Sequence, residues 1–125
     1  MEYKRIQLLG HWFRQTLNHH NIQHSEYCQF KDDGSFEFIF IESDQGKITM
    51  QVTEYGSWGL VGDIHFTMTE TELIDDKFMD CDLTDENNYH AYRVLQLNSQ
   101  IFEYQHVVSK EKYLLKRTMA TTAIC

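Results

Sequence analysis

Gly10-His11-Trp12 opens the first of a series of short predicted strands. Glycine lets the backbone bend into the strand, and a tryptophan side chain can plug one end of a barrel. Arg117 lies in what reads as the last strand, where its guanidinium could stack on the indole of Trp12. This pairing predicts a small β-barrel closed by its first and last strands.

Hairpin signals follow one another along the rest of the chain. Asp32-Asp33-Gly34 and Gly62-Asp63 are turn sequences between segments in which polar and apolar residues alternate. The three glycines of the segment 56–62 predict a strand that bends or bulges. Glu70–Asn88 has no periodicity, so we expect a long acidic loop with a helical turn near Lys77–Met79. The residues after Thr118 are expected to form a loose tail.

The pattern as a whole predicts an all-β protein with one domain, residues 1–125. About eight or nine short antiparallel strands favour an up-and-down β-barrel, because closure removes both edges of the sheet. The 125 residues are long enough to bury a core, and the eight Phe, seven Tyr and two Trp can fill one.

Charge and cysteine content narrow the class of protein. The formal net charge of −8 disfavours binding to nucleic acid or to an anionic membrane surface. Cys28, Cys81 and Cys125 are an odd number without close spacing, and no apolar leader follows Met1. These features predict a cytoplasmic protein with reduced thiols.

Three sequence motifs occur in the same order as in a known protein family, which they resemble. The segments Gly10–Trp12, Phe30–Phe36 and Glu54–Asp63 fit G-x-W, F-x-x-D-G-x-F and G-x-W-x-l-x-g-d. In that order they resemble the short bacterial lipocalin-like domains of the calycin group, over Leu8 to Thr118. The resemblance implies that Trp12 packs at the closed barrel end beneath Arg117, and that the interior binds a small ligand. A T-D-Y motif, a signal peptide and a disulfide pair are missing, which argues against secreted transport.

The alternation of the strands gives a set of candidate ligand-binding residues. We expect the interior to bind a small apolar or amphipathic molecule through Phe38, Met50, Trp58, Phe66, Arg93 and Tyr104. Arg93 would hold an anionic headgroup if its face points inward, or pair with Glu103 or Glu54. If that face is the outer one, Arg93 is solvated and Tyr92 and Val94 point inward.

Two other functions stay open. The barrel could be filled by its own Phe and Met side chains and act through its surface, with the acidic segment Asp75–Glu86 contacting a basic protein. It could also be an enzyme that uses an interior histidine from the set His65, His90 and His106. No catalytic motif appears, so no catalytic residue is assigned.

Histidines between the first two predicted strands are the candidates for metal ligands. His19, His20, His24 and Cys28 lie close in sequence, but we interpret the first two histidines as exposed turn residues. We therefore predict no metal site and no cofactor. A homodimer is left open as a partner.

Overall fold

The computed structural model describes residues 3–119 and shows an antiparallel barrel of eight strands with one additional strand. This confirms the predicted fold class. Cys125 and nearly all of the predicted tail lie outside the described residues. The strands are β1 (Gly10–Leu17), β2 (Ile22–Phe30), β3 (Ser35–Asp44), β4 (Lys47–Val61), β5 (Ile64–Ile74), β6 (Lys77–Asp80), β7 (Tyr89–Leu97), β8 (Ile101–His106) and β9 (Lys112–Thr118).

The strands form a closed ring that joins the last strand to the first. Sequence neighbours pair in order from β1 to β5, and β5 then pairs with β7, β7 with β8 and β8 with β9. The last strand returns to the first, with Trp12 opposite Arg117.

None of the described helices is long and apolar enough to cross a membrane.

Strand β4 is one continuous strand that turns a corner. The residues Lys47–Tyr55 and Gly56–Val61 read as two strands in the sequence, yet they form a single 15-residue strand. Its pairing with β5 shifts between Tyr55 and Gly56, which confirms the expected bulge. A Cβ at Gly56 would collide with the Met68 carbonyl and lie 2.8 Å from the Phe36 ring. Glycine is needed at position 56 because the Met68 carbonyl and the Phe36 ring leave no space for a Cβ atom.

The acidic segment is more ordered than its sequence suggests, and the predicted loop over Glu70–Asn88 is wrong for its first part, up to Asp80. Strand β5 continues to Ile74 and turns back into β6. The turn residues Asp75 and Asp76 have φ of 52° and 62°. Positive φ at both positions suits a tight two-residue hairpin, and aspartate tolerates the left-handed region better than most residues. The only helical turn of the segment lies at Glu86–Asn88, not near Lys77–Met79.

One end of the barrel is sealed by Trp12. Its side chain is fully buried and its indole N–H donates to the Leu8 carbonyl at 2.9 Å. The Arg117 guanidinium lies 3.8 Å above the indole ring. The same guanidinium donates to the carbonyls of Leu9 and of Gln7, the latter at 2.9 Å. The predicted Trp12–Arg117 stack is confirmed, and the mouth of the barrel lies at the opposite end.

Candidate functional site

A cavity of about 180 Å³ lies inside the barrel, beyond the core that surrounds Trp12. All eight barrel strands except β1 contribute side chains to it. Its lining mixes aromatic rings with ionisable and hydroxyl groups: Glu26, Phe30, Phe38, Phe40, Glu54, His65, Thr67, Thr69, His90, Tyr92, Tyr104 and Tyr113. The interior is therefore amphipathic, and it is not filled by the protein's own side chains.

Two carboxyl groups face the cavity from β2 and β4. Glu26 pairs with Arg14 across 3.3 Å and also accepts a hydrogen bond from the Cys28 thiol. Glu54 accepts a hydrogen bond of 3.2 Å from the Thr69 hydroxyl. Burial raises the pKa of both carboxyls; Arg14 opposes this for Glu26, as the Thr69 hydrogen bond does for Glu54. Both groups would be stabilised as anions by a further positive charge in the cavity.

His65 forms part of the cavity wall and is held neutral. The ring is 2% exposed and packs against Phe30, Tyr92 and Phe102 with centroid distances of 5.0, 5.8 and 5.6 Å. Its Nδ1 has no hydrogen-bond partner among the described residues. Desolvation lowers the pKa of His65 to about 4. A neutral imidazole of this kind keeps one ring nitrogen as a hydrogen-bond acceptor.

Three tyrosines form one side of the cavity. Tyr92 and Tyr104 meet edge to face at 4.9 Å, and Tyr104 stacks on Tyr113 at 5.2 Å. Burial raises the pKa of Tyr92 and Tyr104, so both phenols remain protonated. The Arg14 guanidinium lies 4.9 Å from the centre of the Tyr113 ring. This aromatic wall already accommodates one cation.

The cavity continues toward the mouth. A more open space of about 380 Å³ shares Glu26, Phe40 and Tyr113 with it and reaches Met50. The turns at this end connect β1 to β2, β3 to β4 and β8 to β9, and the segment from β5 to β7 joins them. A small molecule would enter here, since Trp12 and Arg117 occupy the other end.

A pair of histidines ties the rim of the mouth together. The backbone N–H groups of Val108 and Ser109 both donate to His106 Nδ1 at 3.1 Å. In the neutral ring the hydrogen is therefore on Nε2, which donates to His90 Nδ1 across 3.2 Å. The pKa of His90 is lowered, first by burial and then by His106. This chain links β7 to the turn after β8.

Four of the six predicted ligand-binding residues lie on the inner side of the barrel, in three different settings. Phe38 and Tyr104 line the cavity. Met50 lies in the open space at the mouth and is 46% exposed. Trp58 is buried in the core, where its indole N–H donates to the Lys31 carbonyl at 3.0 Å and Arg5 covers the ring. Their role in binding remains a prediction.

Phe66 points out of the barrel, and its predicted inward orientation is wrong. The side chain is 43% exposed and lies over Gly59, where an added Cβ would touch the ring. It borders an outer apolar groove together with Tyr89 and Val108. Its neighbours His65 and Thr67 are buried instead. The apolar face of β5 thus covers the backbone of Gly59 on the outside of the barrel, while its polar face lines the cavity.

Arg93 is also on the outer face. Its guanidinium pairs with Asp63 at 2.6 Å and its side chain is 54% exposed. Neither Glu103 nor Glu54 is its partner, and no headgroup inside the barrel can reach it. Tyr92 and Val94 take the inward positions, as the alternative interpretation of this strand required.

Sequence reasoning missed Glu26 and Glu54 as cavity residues, and it named His65 only as one of three histidines that could face the interior. A signal was present in the hairpin at Gly62-Asp63. Directly paired residues share a face of the sheet, and a two-residue turn there pairs Trp58 with Thr67 and Leu60 with His65. An inward Trp58 therefore requires an inward His65 and an outward Phe66.

The histidines in the β1–β2 turn remain outside the site. His19 and His20 are exposed, with ring centroids 3.9 Å apart, while Cys28 is buried inside the barrel. Within residues 3–119, no group of three or more His, Cys, Asp or Glu side chains is arranged to hold a metal ion.

Comparisons with known proteins support the fold. No family model matches the chain, and no curated protein matches it significantly. A lipocalin-like protein from Bacteroides uniformis, known from a crystal structure, superposes with a TM-score of 0.55 at 17% sequence identity. The match covers 90% of this chain and 99% of that chain. Together with the closed eight-strand barrel, it shows that the chain has a lipocalin-like fold.

Proposed function

We propose that the protein binds one small amphipathic ligand inside its barrel. The observation that carries this proposal is the cavity of about 180 Å³ with its aromatic and hydrogen-bonding lining. A cavity needs roughly 10–15 Å³ to hold one water, whereas pockets for drug-sized molecules are about 300–1,000 Å³. The volume favours a ligand with a single ring or a short chain.

The same cavity weighs against the two other functions. A barrel acting only through its surface has no need to keep buried carboxyl groups, because their desolvation costs stability. An enzyme would need an activated base or nucleophile. The low pKa of His65 makes it a weak base, and burial raises the pKa of Cys28 well above its ordinary value.

A cytoplasmic location is a further part of the proposal. Its support is the cysteine pattern: Cys28 is buried inside the barrel, and Cys28 and Cys81 are both free thiols. Glu72 accepts a hydrogen bond from Cys81, and burial and this carboxylate raise the pKa of that thiol.

Native mass spectrometry and ligand-observed NMR test the proposal. We expect freshly purified protein to carry one small molecule per chain, or to bind fragments of up to about one ring from a library. Thr69→Phe should abolish binding because the new ring occupies the cavity, while Thr49→Phe on an exposed position of β4 should not. Near-ultraviolet circular dichroism confirms that both variants fold. Absence of any bound mass or fragment sensitive to Thr69→Phe would overturn the proposal. The native mass spectra also report whether the protein is a dimer.

A further inference from the structure

The free hydrogen-bonding groups of the cavity define the kind of ligand that fits. We propose that the cavity binds a small protonated amine that carries an aromatic or apolar group. This inference rests on the proposed function, since it names the chemical class of the ligand for the same cavity. It follows from three independent features: unpaired negative charge, a neutral imidazole in the cavity wall and a set of aromatic rings.

The first feature is a charge imbalance. The positive charge of Arg14 is already paired with the Glu26 carboxylate, at 3.3 Å. Glu54 has only the Thr69 hydroxyl as a hydrogen-bond partner, and in the described part of the chain no Lys, Arg or His side chain forms an ion pair with it. Glu72 lies opposite Glu54 on β5 and adds negative charge rather than neutralising it. An ammonium group between these carboxyls would supply the missing cation.

The second feature is the neutral ring of His65 in the cavity wall. Its Nδ1 is buried without a hydrogen-bond partner among the described residues, which is uncommon because its desolvation is not compensated. A neutral imidazole carries a hydrogen on one nitrogen and accepts a hydrogen bond at the other. A ligand that donates hydrogen bonds can use this acceptor.

The third feature is the wall of aromatic rings. Phe38, Tyr92 and Tyr104 present ring faces or edges to the interior. Ring faces attract cations, and desolvation strengthens that attraction. Arg14 over Tyr113 shows this preference within the barrel itself. The same rings provide apolar surface for the rest of the ligand.

Three probes of nearly equal size and different charge test the ligand class. They are 2-phenylethylamine, 2-phenylethanol and phenylacetate, titrated calorimetrically into the purified protein at pH 7. We expect the amine to bind at least tenfold more tightly than the alcohol, and phenylacetate to be excluded. Equal or tighter binding of the alcohol or the acid would overturn the amine class while leaving a ligand-binding barrel. Failure of all three would also overturn it, and the fragment screen then decides separately whether the cavity binds any ligand.

A charge-neutral variant of Glu54 tests whether its carboxylate binds the amine. Glu54→Gln keeps the size of the side chain and an acceptor for Thr69. We expect it to lose at least tenfold in affinity for 2-phenylethylamine and to bind 2-phenylethanol as before. Glu37→Gln makes the same chemical change on the outer face of β3 and should leave both affinities unchanged. An amine preference retained in Glu54→Gln would contradict the proposal.

Discussion

His65 is an ionisable side chain enclosed almost completely by aromatic rings. Its imidazolium form would be buried without a counter-ion, which is why the neutral form dominates in the folded protein. In the unfolded chain the same ring is solvated and titrates near 6.5. The folded and unfolded states therefore bind different numbers of protons between these two values.

The sign of this difference gives a prediction about acid stability. Between pH 6.5 and about 4 the unfolded chain holds the extra proton, so the free energy of unfolding falls as the pH falls. The His65 contribution is complete above pH 6.5, and its loss by about pH 4 amounts to about 3 kcal/mol. In His65→Gln this component should be missing. Urea unfolding of both proteins at pH 7, 5 and 4 measures it.

A control separates burial from histidine chemistry in general. His20 is exposed in the β1–β2 turn. His20→Gln should unfold with the same pH dependence as the wild type. If His65→Gln and the wild type lost stability in parallel on acidification, the imidazole would not be neutral and buried as described.

The bulge in β4 is the feature that lets a single strand serve both the mouth and the closed end. Its two halves meet at Tyr55 and Gly56, where the pairing with β5 changes register. Local disruption of the ladder increases twist, and strong twist is what a small barrel requires. The closeness of Phe36 and the Met68 carbonyl to Gly56 shows that the corner is fully packed.

We therefore expect Gly56→Ala to be among the most damaging single-methyl additions in the protein. The new Cβ must displace backbone as well as a core ring, so the loss of stability should be about 3 kcal/mol or more. Gly46→Ala is the matched control. Gly46 has a φ of +81° but nothing within 4 Å of an added Cβ, so only left-handed strain of about 1–2 kcal/mol is expected. Thermal and urea unfolding compare the two, and equal losses would mean that the corner is loosely packed.

The pairing of β1 with β9 determines whether the whole molecule is a barrel or an open sheet. Arg117 contributes a ring contact with Trp12 and hydrogen bonds to carbonyls more than 100 positions earlier in the chain. Arg117→Ala should lower the free energy of unfolding by about 1–2 kcal/mol through lost stacking and packing. Chemical denaturation followed by tryptophan fluorescence is the appropriate measurement.

Arg93→Ala serves as the comparison for that variant. Arg93 also forms an ion pair, but on the surface, where such pairs contribute about 0–1 kcal/mol. The two substitutions remove the same side chain from different settings. An Arg117 variant no less stable than the Arg93 variant would show that the closed end does not depend on the guanidinium.

The fold was predictable from sequence to a larger extent than the site. Turn residues and the Trp12–Arg117 pairing are local or terminal signals, and they led to the barrel. The orientation of β5 was predicted wrongly because apolar residues were assumed to face inward. That assumption fails for a small barrel with a polar cavity, in which Phe66 covers Gly59 on the outer surface and His65 faces inside.

The outward position of Arg93 follows from the same rule. Strand β7 pairs with β5, so its inner face continues from His65 to Tyr92 and leaves Arg93 outside. The Asp75-Asp76 turn was missed for a different reason. Two aspartates read as part of a charged loop, although their tolerance of positive φ also makes them hairpin residues.

The seam between the first and last strands has a consequence for biosynthesis. The partner of Trp12 is Arg117, so the ribosome must release the chain as far as β9 before the circle of strands can be completed. Until then, β1 has an open edge and the ring surface around Trp12 is uncovered, which is the condition in which nascent β-proteins associate wrongly. Contacts this distant in sequence also form slowly. Yield in the cell should therefore depend on chaperone capacity during synthesis.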